Sequence, residues 1–235
     1  MAISKKAYST YTLLSEFHHK ANVAREEDKH LEALKLMEEA LIEYSRKNDN
    51  SGIAMAIADR ALIYKHLFLL SSQKAFALLM KKDAQACLDI AQNFSLRELY
   101  GVAYFRLGEA DMLFGDYEKA AGNYRKSLEN YFGTNAEKGD FKYHLGEAVY
   151  KTGKKEEGMR LLLKGLKEIQ ENKDEVNDFV AHVWESGCYM RLAELLKEDN
   201  PSQAKMYLKK AQEIAESDEK LIIRRRQISE LGKSF

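Results

Sequence analysis

The chain has 235 residues, with 37 basic and 37 acidic side chains and so a formal net charge of zero when the histidines are neutral. Apolar residues make up 45% and charged residues 31%, a balance typical of a folded, charge-rich helical protein and not of a disordered one. The zero net charge argues against a dedicated nucleic-acid binder, which needs a basic surplus to neutralise phosphates, although it leaves a local basic patch open.

Cysteine usage and hydropathy indicate a cytoplasmic protein. Cys87 and Cys188 lie far apart in the chain and have no metal-ligand spacing with each other or with histidine. We therefore expect reduced thiols, no metal and no other cofactor. Residues 1–6 lead into polar and aromatic positions without a signal-peptide core, and the longest apolar runs, such as 75–80, are too short to span a bilayer. No membrane partner is predicted.

Helices are predicted along the whole chain, because a single proline in 235 residues is typical of a helical protein and strand signals are missing. In chain order, we predict helix pairs near 8–48, 50–94, 95–131, 136–171 and 175–216, followed by a capping helix over 217–231. Ser71-Ser72 is the predicted break of the second pair, and Ser95–Glu98 reads as a capping box that opens the third. Asn200 and Pro201 predict the start of another helix.

An internal repeat of 38 residues organises the middle of the chain. Gly101, Gly108 and Gly115 recur as Gly139, Gly146 and Gly153, and residues 101–128 share nine identities with residues 139–166 without a gap. The third glycine of each set is predicted to end a helix in a left-handed turn. The second lies inside a helix, where glycine costs up to about 1 kcal/mol against alanine, so we expect a neighbouring helix to approach closely there.

The repeat resembles the tetratricopeptide repeat (TPR). The residues that carry the resemblance are Tyr104, Leu107-Gly108, Gly115-Asp116-Tyr117, Ala120, Tyr124 and Ser127-Leu128, with Leu145-Gly146, Gly153, Gly158, Leu162 and Gly165 in the second copy. Two copies are clear, at 101–131 and 139–170, and weaker copies flank them. The chain departs from the family at Asp111 and Val149, where the family prefers tyrosine, and in its 38-residue period against about 34.

The resemblance implies an all-α fold. It implies a right-handed α-solenoid of about five antiparallel helix pairs plus a C-terminal capping helix, as a single superhelical domain over 1–235. It further implies a concave groove lined by the first helix of each pair, where a peptide or protein segment would bind. The groove positions carried over from the family are His18, Asn22, Arg25, Lys65, Phe105, Glu109, Met112, Tyr143, Glu147, Tyr150, Trp184 and Arg191. Whether the aromatic members bind a ligand or pack against the next repeat stays open.

The leading hypothesis is a non-enzymatic protein-interaction module. No phosphate-binding loop, nucleophile elbow or zinc-protease motif is present in the sequence. The alternatives are a peptide-sensing regulatory protein that changes conformation on binding, and a scaffold that self-associates as a homo-oligomer. His18, Asn22 and Glu26 share one helix face, which favours a polar groove surface over a metal site. The run Arg224-Arg225-Arg226 is either a solvated helix end or a site for phosphate or an acidic partner.

Overall fold

A computed structural model describes residues 14–235, and in that range the fold consists of helices without a β-strand. The α-helices are α1 (Glu16–Glu26), α2 (His30–Arg46), α3 (Asn50–Ser71), α4 (Lys74–Asn93), α5 (Tyr100–Leu113), α6 (Tyr117–Glu129), α7 (Asn135–Lys151), α8 (Lys155–Glu171), α9 (Asp178–Leu196), α10 (Pro201–Ser217) and α11 (Ile222–Gly232).

Consecutive helices pack as antiparallel neighbours, and α7 and α8 form the most extensive pair. The odd-numbered helices also contact one another across pairs, α3 with α5, α7 with α9 and α9 with α11. They therefore form the inner layer of an α-solenoid, with the even-numbered helices outside. No helix within residues 14–235 has the length and apolarity that crossing a membrane requires.

Several helix ends lie where the sequence predicts them. Gly115 and Gly153 end α5 and α7 with φ of 74° and 94°, in the left-handed region that glycine enters without a Cβ clash. Ser72 caps α3 with φ of 56° and so breaks the second pair at the predicted serines. At α10, the Asn200 side chain accepts a hydrogen bond from the Gln203 backbone and Pro201 opens the helix.

Two predicted helix starts are wrong. Ser95 does not open a capping box, since it has φ of 55° and is followed by a 3-10 turn over Arg97–Leu99, with α5 beginning only at Tyr100. The last helix begins at Ile222 rather than at 217, since α10 continues through Ser217. By contrast, α7 begins at Asn135, close to the predicted start of the fourth pair at 136, where the Thr134 side chain caps the helix by accepting from the Glu137 backbone.

The repeated glycines allow helices to touch backbone to backbone. A Cβ added to Gly146 would lie 2.6 Å from the Leu162 nitrogen and 2.8 Å from the Gly158 carbonyl oxygen, both on α8. At Gly108 the nearest atoms belong instead to the Tyr124 ring, at 2.7 Å. The expected close approach is thus confirmed at both glycines, by backbone in one repeat and by an aromatic side chain in the other.

The hydrophobic core runs along the solenoid as a series of clusters between neighbouring pairs. Cys87 lies in the second of these along the chain and Cys188 in the last, and both thiols are buried and free. Burial raises the pKa of Cys87 to about 12 and also raises the pKa of Cys188. Both cysteines are therefore packing residues.

The last helix returns to the first pair. Arg226 of α11 forms an ion pair with Asp28, in the turn between α1 and α2. Asp28 has φ of 66°, a left-handed conformation that aspartate tolerates better than most residues. The array is therefore closed by a contact between its first turn and its last helix.

Candidate functional site

A polar cavity lies among the inner helices. It has a volume of about 170 Å³ and is lined by Lys65, Leu69, Glu109, Met112, Leu113, Tyr124, His144, Glu147, Lys151 and Arg191. We call it the inner cavity. Five of its lining residues, namely Lys65, Glu109, Met112, Glu147 and Arg191, are among the predicted groove positions.

A second cavity of about 240 Å³ lies between the end of α3, α9 and α11. We call it the α11 cavity. Its walls are His66, Leu69, Leu70, Met190, Arg191, Glu194, Ile223, Arg226, Gln227, Glu230 and Leu231. Leu69 and Arg191 line both cavities, so the two adjoin. Together they form a region in which apolar side chains of α3, α9 and α11 are mixed with charged side chains from all the inner helices between α3 and α11.

Glu109 is buried in the wall of the inner cavity and is held by two bases. The Lys65 ammonium of α3 donates to one carboxylate oxygen, and Arg106 Nη1 donates to the other at 2.6 Å. Burial acts to raise the pKa of Glu109, but the charges of Lys65 and Arg106 outweigh it and hold the pKa below its usual value. Glu109 is therefore an ionised, fixed side chain.

Glu147 occupies the equivalent position one repeat later. Lys151 Nζ lies 3.0 Å from one carboxylate oxygen, and Arg191 Nε of α9 lies 3.2 Å from the other. Burial opposes ionisation here too, yet Arg191 and Lys151 lower the pKa of Glu147 to about 2. Each repeated glutamate thus pairs with one base on its own helix and one on an adjacent inner helix, which joins α3 to α5 and α7 to α9.

His144 lies between the two glutamates and is neutral. Burial lowers its pKa to about 3, and the charge of Lys65 acts in the same direction. Its ring meets the Tyr143 ring at 4.3 Å and the Phe105 ring at 5.1 Å, measured between centroids. His144 therefore contributes a polar but uncharged surface to the inner cavity.

The predicted N-terminal groove residues form a separate buried network. His18 Nε2 lies 3.0 Å from an Asp59 carboxylate oxygen, and its Nδ1 lies 3.1 Å from the Tyr44 hydroxyl. Asn22 donates to the same Asp59 oxygen at 3.0 Å, and Arg25 donates to Asn22 at 2.9 Å. His18, Asn22 and Arg25 line neither cavity, so these contacts order α1 against α3. Within residues 14–235, no group of three or more His, Cys, Asp or Glu side chains has the geometry to hold a metal ion.

Three of the four predicted aromatic anchors pack within the protein. Phe105 stacks on Phe141 of the next repeat at 4.2 Å, and Tyr143 is buried in the C-terminal core cluster. The Tyr150 hydroxyl donates to the Leu195 carbonyl at 3.3 Å, at the end of α9. Trp184 is only partly buried against the same C-terminal cluster. The side chains of Phe105, Tyr143 and Tyr150 are therefore used in packing between repeats.

Arg224 of α11 is a feature that the groove pattern missed. Its Nη2 donates to the Val183 carbonyl at 3.1 Å and its Nη1 to the Gln227 side chain at 3.0 Å. The Nε atom is buried and finds no hydrogen-bond acceptor among residues 14–235. Burial lowers the pKa of Arg224. The sequence shows the basic run that contains Arg224. It does not show that Arg224 lies against α9, because the two are distant in the chain.

The basic run of α11 is not a solvated helix end. Arg225 donates to the Ala215, Asp218 and Glu219 carbonyl oxygens, which close the C-terminus of α10. Arg224 is held by its hydrogen bond to Val183, and Arg226 is held by its ion pair with Asp28. All three guanidinium groups of the run are therefore bound to protein. The interpretation as a solvated end is wrong because α11 packs on α9 and α10 instead of extending from them.

The chain matches no protein-family model and no curated protein sequence. It is similar in structure to a Podosopora anserina protein described as a kinesin light chain with nearly identical TPR-like repeats. That likeness has a TM-score of 0.55 and 15% identity, and it covers 85% of this chain and 92% of the other. The fold is a right-handed, TPR-like α-solenoid.

A weaker likeness, to the APC/C hetero-tetramer Cut9–Hcn1, has a TM-score of 0.43 and 13% identity, and it covers 90% of this chain but 42% of the other. The score is too low to bear on the fold, which rests on the first likeness and on the helix pairs themselves.

Proposed function

We propose that the protein is a non-enzymatic interaction module that holds a segment of a partner protein in the inner cavity and the α11 cavity. The observation that carries this proposal is the convergence of five groove positions, from four successive pairs, on one cavity that adjoins a second one. Binding sites commonly combine apolar walls with a few oriented polar groups.

The charged walls would orient the segment without having to rearrange. Glu109 and Glu147 are already ionised and fixed by their bases. A bound backbone would therefore meet a preorganised set of donors and acceptors, which lowers the entropic cost of binding. Apolar side chains of the segment would enter between Leu69, Met190 and Ile223, where the cavity volume exceeds the roughly 150 Å³ that holds benzene in an engineered protein cavity.

Selection of random peptides displayed on phage against the purified protein tests the proposal. We expect enriched peptides to lose binding to the Leu69→Glu variant, because Leu69 lines both cavities and is 44% exposed, so the fold tolerates the change. Leu163→Glu, on the outer helix α8 at 41% exposure, is the matched control and should bind as the unmodified protein does. Enrichment of no peptide, or equal binding by Leu69→Glu, would refute the proposal.

The peptide-sensing alternative gains support from the closing contact of α11. Since Arg226 lines the α11 cavity and also pairs with Asp28, a segment that enters this cavity meets the element that closes the array. The selected peptides distinguish the two proposals: a sensor would show increased hydrogen exchange in α11 on binding, and a passive scaffold would show protection there.

A further inference from the structure

The outer face of α4 carries apolar side chains that the protein leaves exposed. Its core face is formed by small and apolar residues such as Ala77, Met80 and Ala84, all buried. On the opposite face, Leu78 is 55% exposed and Leu79 is 44% exposed. Ala75, which is exposed, precedes this pair by one helical turn. The first half of α4 is thus apolar on both faces, a pattern typical of a helix that is covered on both sides.

The charged side chains next to Leu78 and Leu79 in the N-terminal half of α4 are positive, whereas Asp89 lies further along the same side of the helix. Residues 61–82 contain four lysines and not one acidic residue, in a chain whose total charge is zero. Lys65 and Lys81 are paired with carboxylates of α5. Lys74 and Lys82, which flank the leucines on α4, form no ion pair with any residue between 14 and 235. The two leucines are therefore bordered by unneutralised positive charge.

We propose that the outer face of α4 docks an acidic amphipathic helix of a partner protein. Residues Ala75, Leu78 and Leu79 follow the i, i+3, i+4 spacing by which one helix meets another, and Ala75 permits close approach beside the leucines. Lys74 precedes the leucines and Lys82 continues their row at i+7, and both complement Asp or Glu side chains of the docked helix. This surface lies on an outer helix and is distinct from the inner and α11 cavities.

Two other occupants fit the same face less well. A second copy of the chain docked through α4 would bring Lys74 and Lys82 against their own counterparts, and like charges at an interface disfavour association. A membrane surface would need a broader apolar face, whereas Leu78 and Leu79 are the exposed large apolar residues of α4, and Gln85 and Asp89 share their side of the helix.

Fluorescence anisotropy with two synthetic peptides tests the proposal. The first is an amphipathic helix of about 20 residues, long enough to be helical alone, with leucines on one face and glutamates along both edges. The second has lysine at every glutamate position. We expect the full chain to bind the acidic peptide, and binding to weaken at least about tenfold both in Leu78→Gln/Leu79→Gln and in Lys74→Glu/Lys82→Glu. Leu163→Gln should bind as the unmodified chain does.

Further measurements distinguish the acidic helix from a membrane surface and from a second copy of the chain. Equal binding of both peptides, or no binding of the acidic one, would overturn the proposal. So would phosphatidylglycerol vesicles that bind the protein through the same leucines, or a dimer in light scattering that the Leu78→Gln/Leu79→Gln variant abolishes. Because all four substituted side chains point to solvent, the variants should keep the circular dichroism of the parent. The Leu69→Glu variant should still bind the acidic peptide, so failure of cavity binding and failure of α4 docking are distinguishable.

Discussion

Arg226 donates a hydrogen bond to Asp28, which lies 198 positions earlier in the chain. Both side chains are partly buried, at 34% and 26% exposure. The contact joins the last helix to the first turn and places Arg226 in the wall of the α11 cavity. The closed form of the array and the shape of its candidate binding region therefore depend on the same residue.

Breaking this ion pair should loosen both ends together. We expect Arg226→Gln to lower the free energy of unfolding by about 0.5–1 kcal/mol, in the range of partly exposed ion pairs. Hydrogen exchange should rise in α11 and in the α1–α2 turn. Asp28→Asn keeps a residue that tolerates positive φ and removes only the charge, so the double variant should be no less stable than either single one. Lys233→Gln removes a base paired within α11 and serves as the control. If hydrogen exchange rose in α11 but not in the α1–α2 turn, the contact that closes the array would be contradicted.

The repeated glycines give a graded prediction for alanine substitution. Gly146→Ala should cost about 2–3 kcal/mol, because its Cβ would meet α8 backbone that no side-chain rotation can relieve. Gly108→Ala should cost less, since the Tyr124 ring is what it meets. Gly122→Ala, in α6 with nothing within 4 Å, should stabilise by about 0.5–1 kcal/mol. Urea unfolding midpoints check the order, and equal effects at Gly146 and Gly122 would show that α7 and α8 are not packed backbone to backbone.

The buried His144 should make the free energy of unfolding fall with decreasing pH already at pH values above those at which carboxylates titrate. The unfolded chain binds this proton near pH 6.5, whereas in the fold burial lowers the pKa to about 3. The unfolded state therefore holds more protons between these values, and stability falls as the pH is lowered from 6.5. The groups facing the ring are Lys65, Glu109, Asp140, Glu147 and Arg191.

Unfolding in urea at a series of pH values between 7 and 5 measures this slope. For one group, the free energy of unfolding should change by at most about 1.4 kcal/mol per pH unit. His144→Gln should flatten the dependence, although buried His30 and His66, whose pKa values burial also lowers, preserve part of it. His19→Gln, at an exposed position of α1, should leave the slope as it is. An unchanged slope in His144→Gln would contradict a buried neutral imidazole.

Asp140 should have the opposite dependence. Burial raises its pKa to about 8, and the nearby charges of Glu109 and Glu137 add to that effect. The folded protein then keeps a proton that the unfolded chain releases above about pH 4, so this group contributes less stability as the pH rises to 8. We expect Asp140→Asn to stabilise the protein by at least about 1 kcal/mol at pH 8 and to have little effect at pH 4. The same gain at both pH values would rule out a protonated Asp140.

The sequence predicted the fold where local chemistry decides it. Glycines at a fixed spacing, one proline after a capping asparagine and a serine pair were enough to place turns, since each has a conformational cause within a few residues. The start of α5 was missed because a 3-10 turn over Arg97–Leu99 stands where Ser95 was expected to cap the helix. The TPR-like solenoid is confirmed, whereas the binding of a segment in the groove stays a prediction.

The candidate site was less predictable because its geometry depends on contacts between residues that are far apart in the chain. Glu109 looks like a ligand-contacting charge on α5 until Lys65 of α3 is seen to neutralise it. Phe105 and Tyr143 have the groove spacing, but Phe105 stacks on Phe141 of the next repeat and Tyr143 lies in the C-terminal core cluster. Arg226 could not be paired with Asp28 from the sequence, since no local pattern connects positions separated by almost the whole chain.

The closing ion pair also bears on how the protein unfolds in time. In an open repeat array each terminal pair is held on one side only, so loss of structure begins at an end and propagates inward. Here α1 and α2 are joined to α11 through Asp28 and Arg226, and neither end is held by a single neighbour. Separation of Arg226 from Asp28 would therefore free both ends of the array at once.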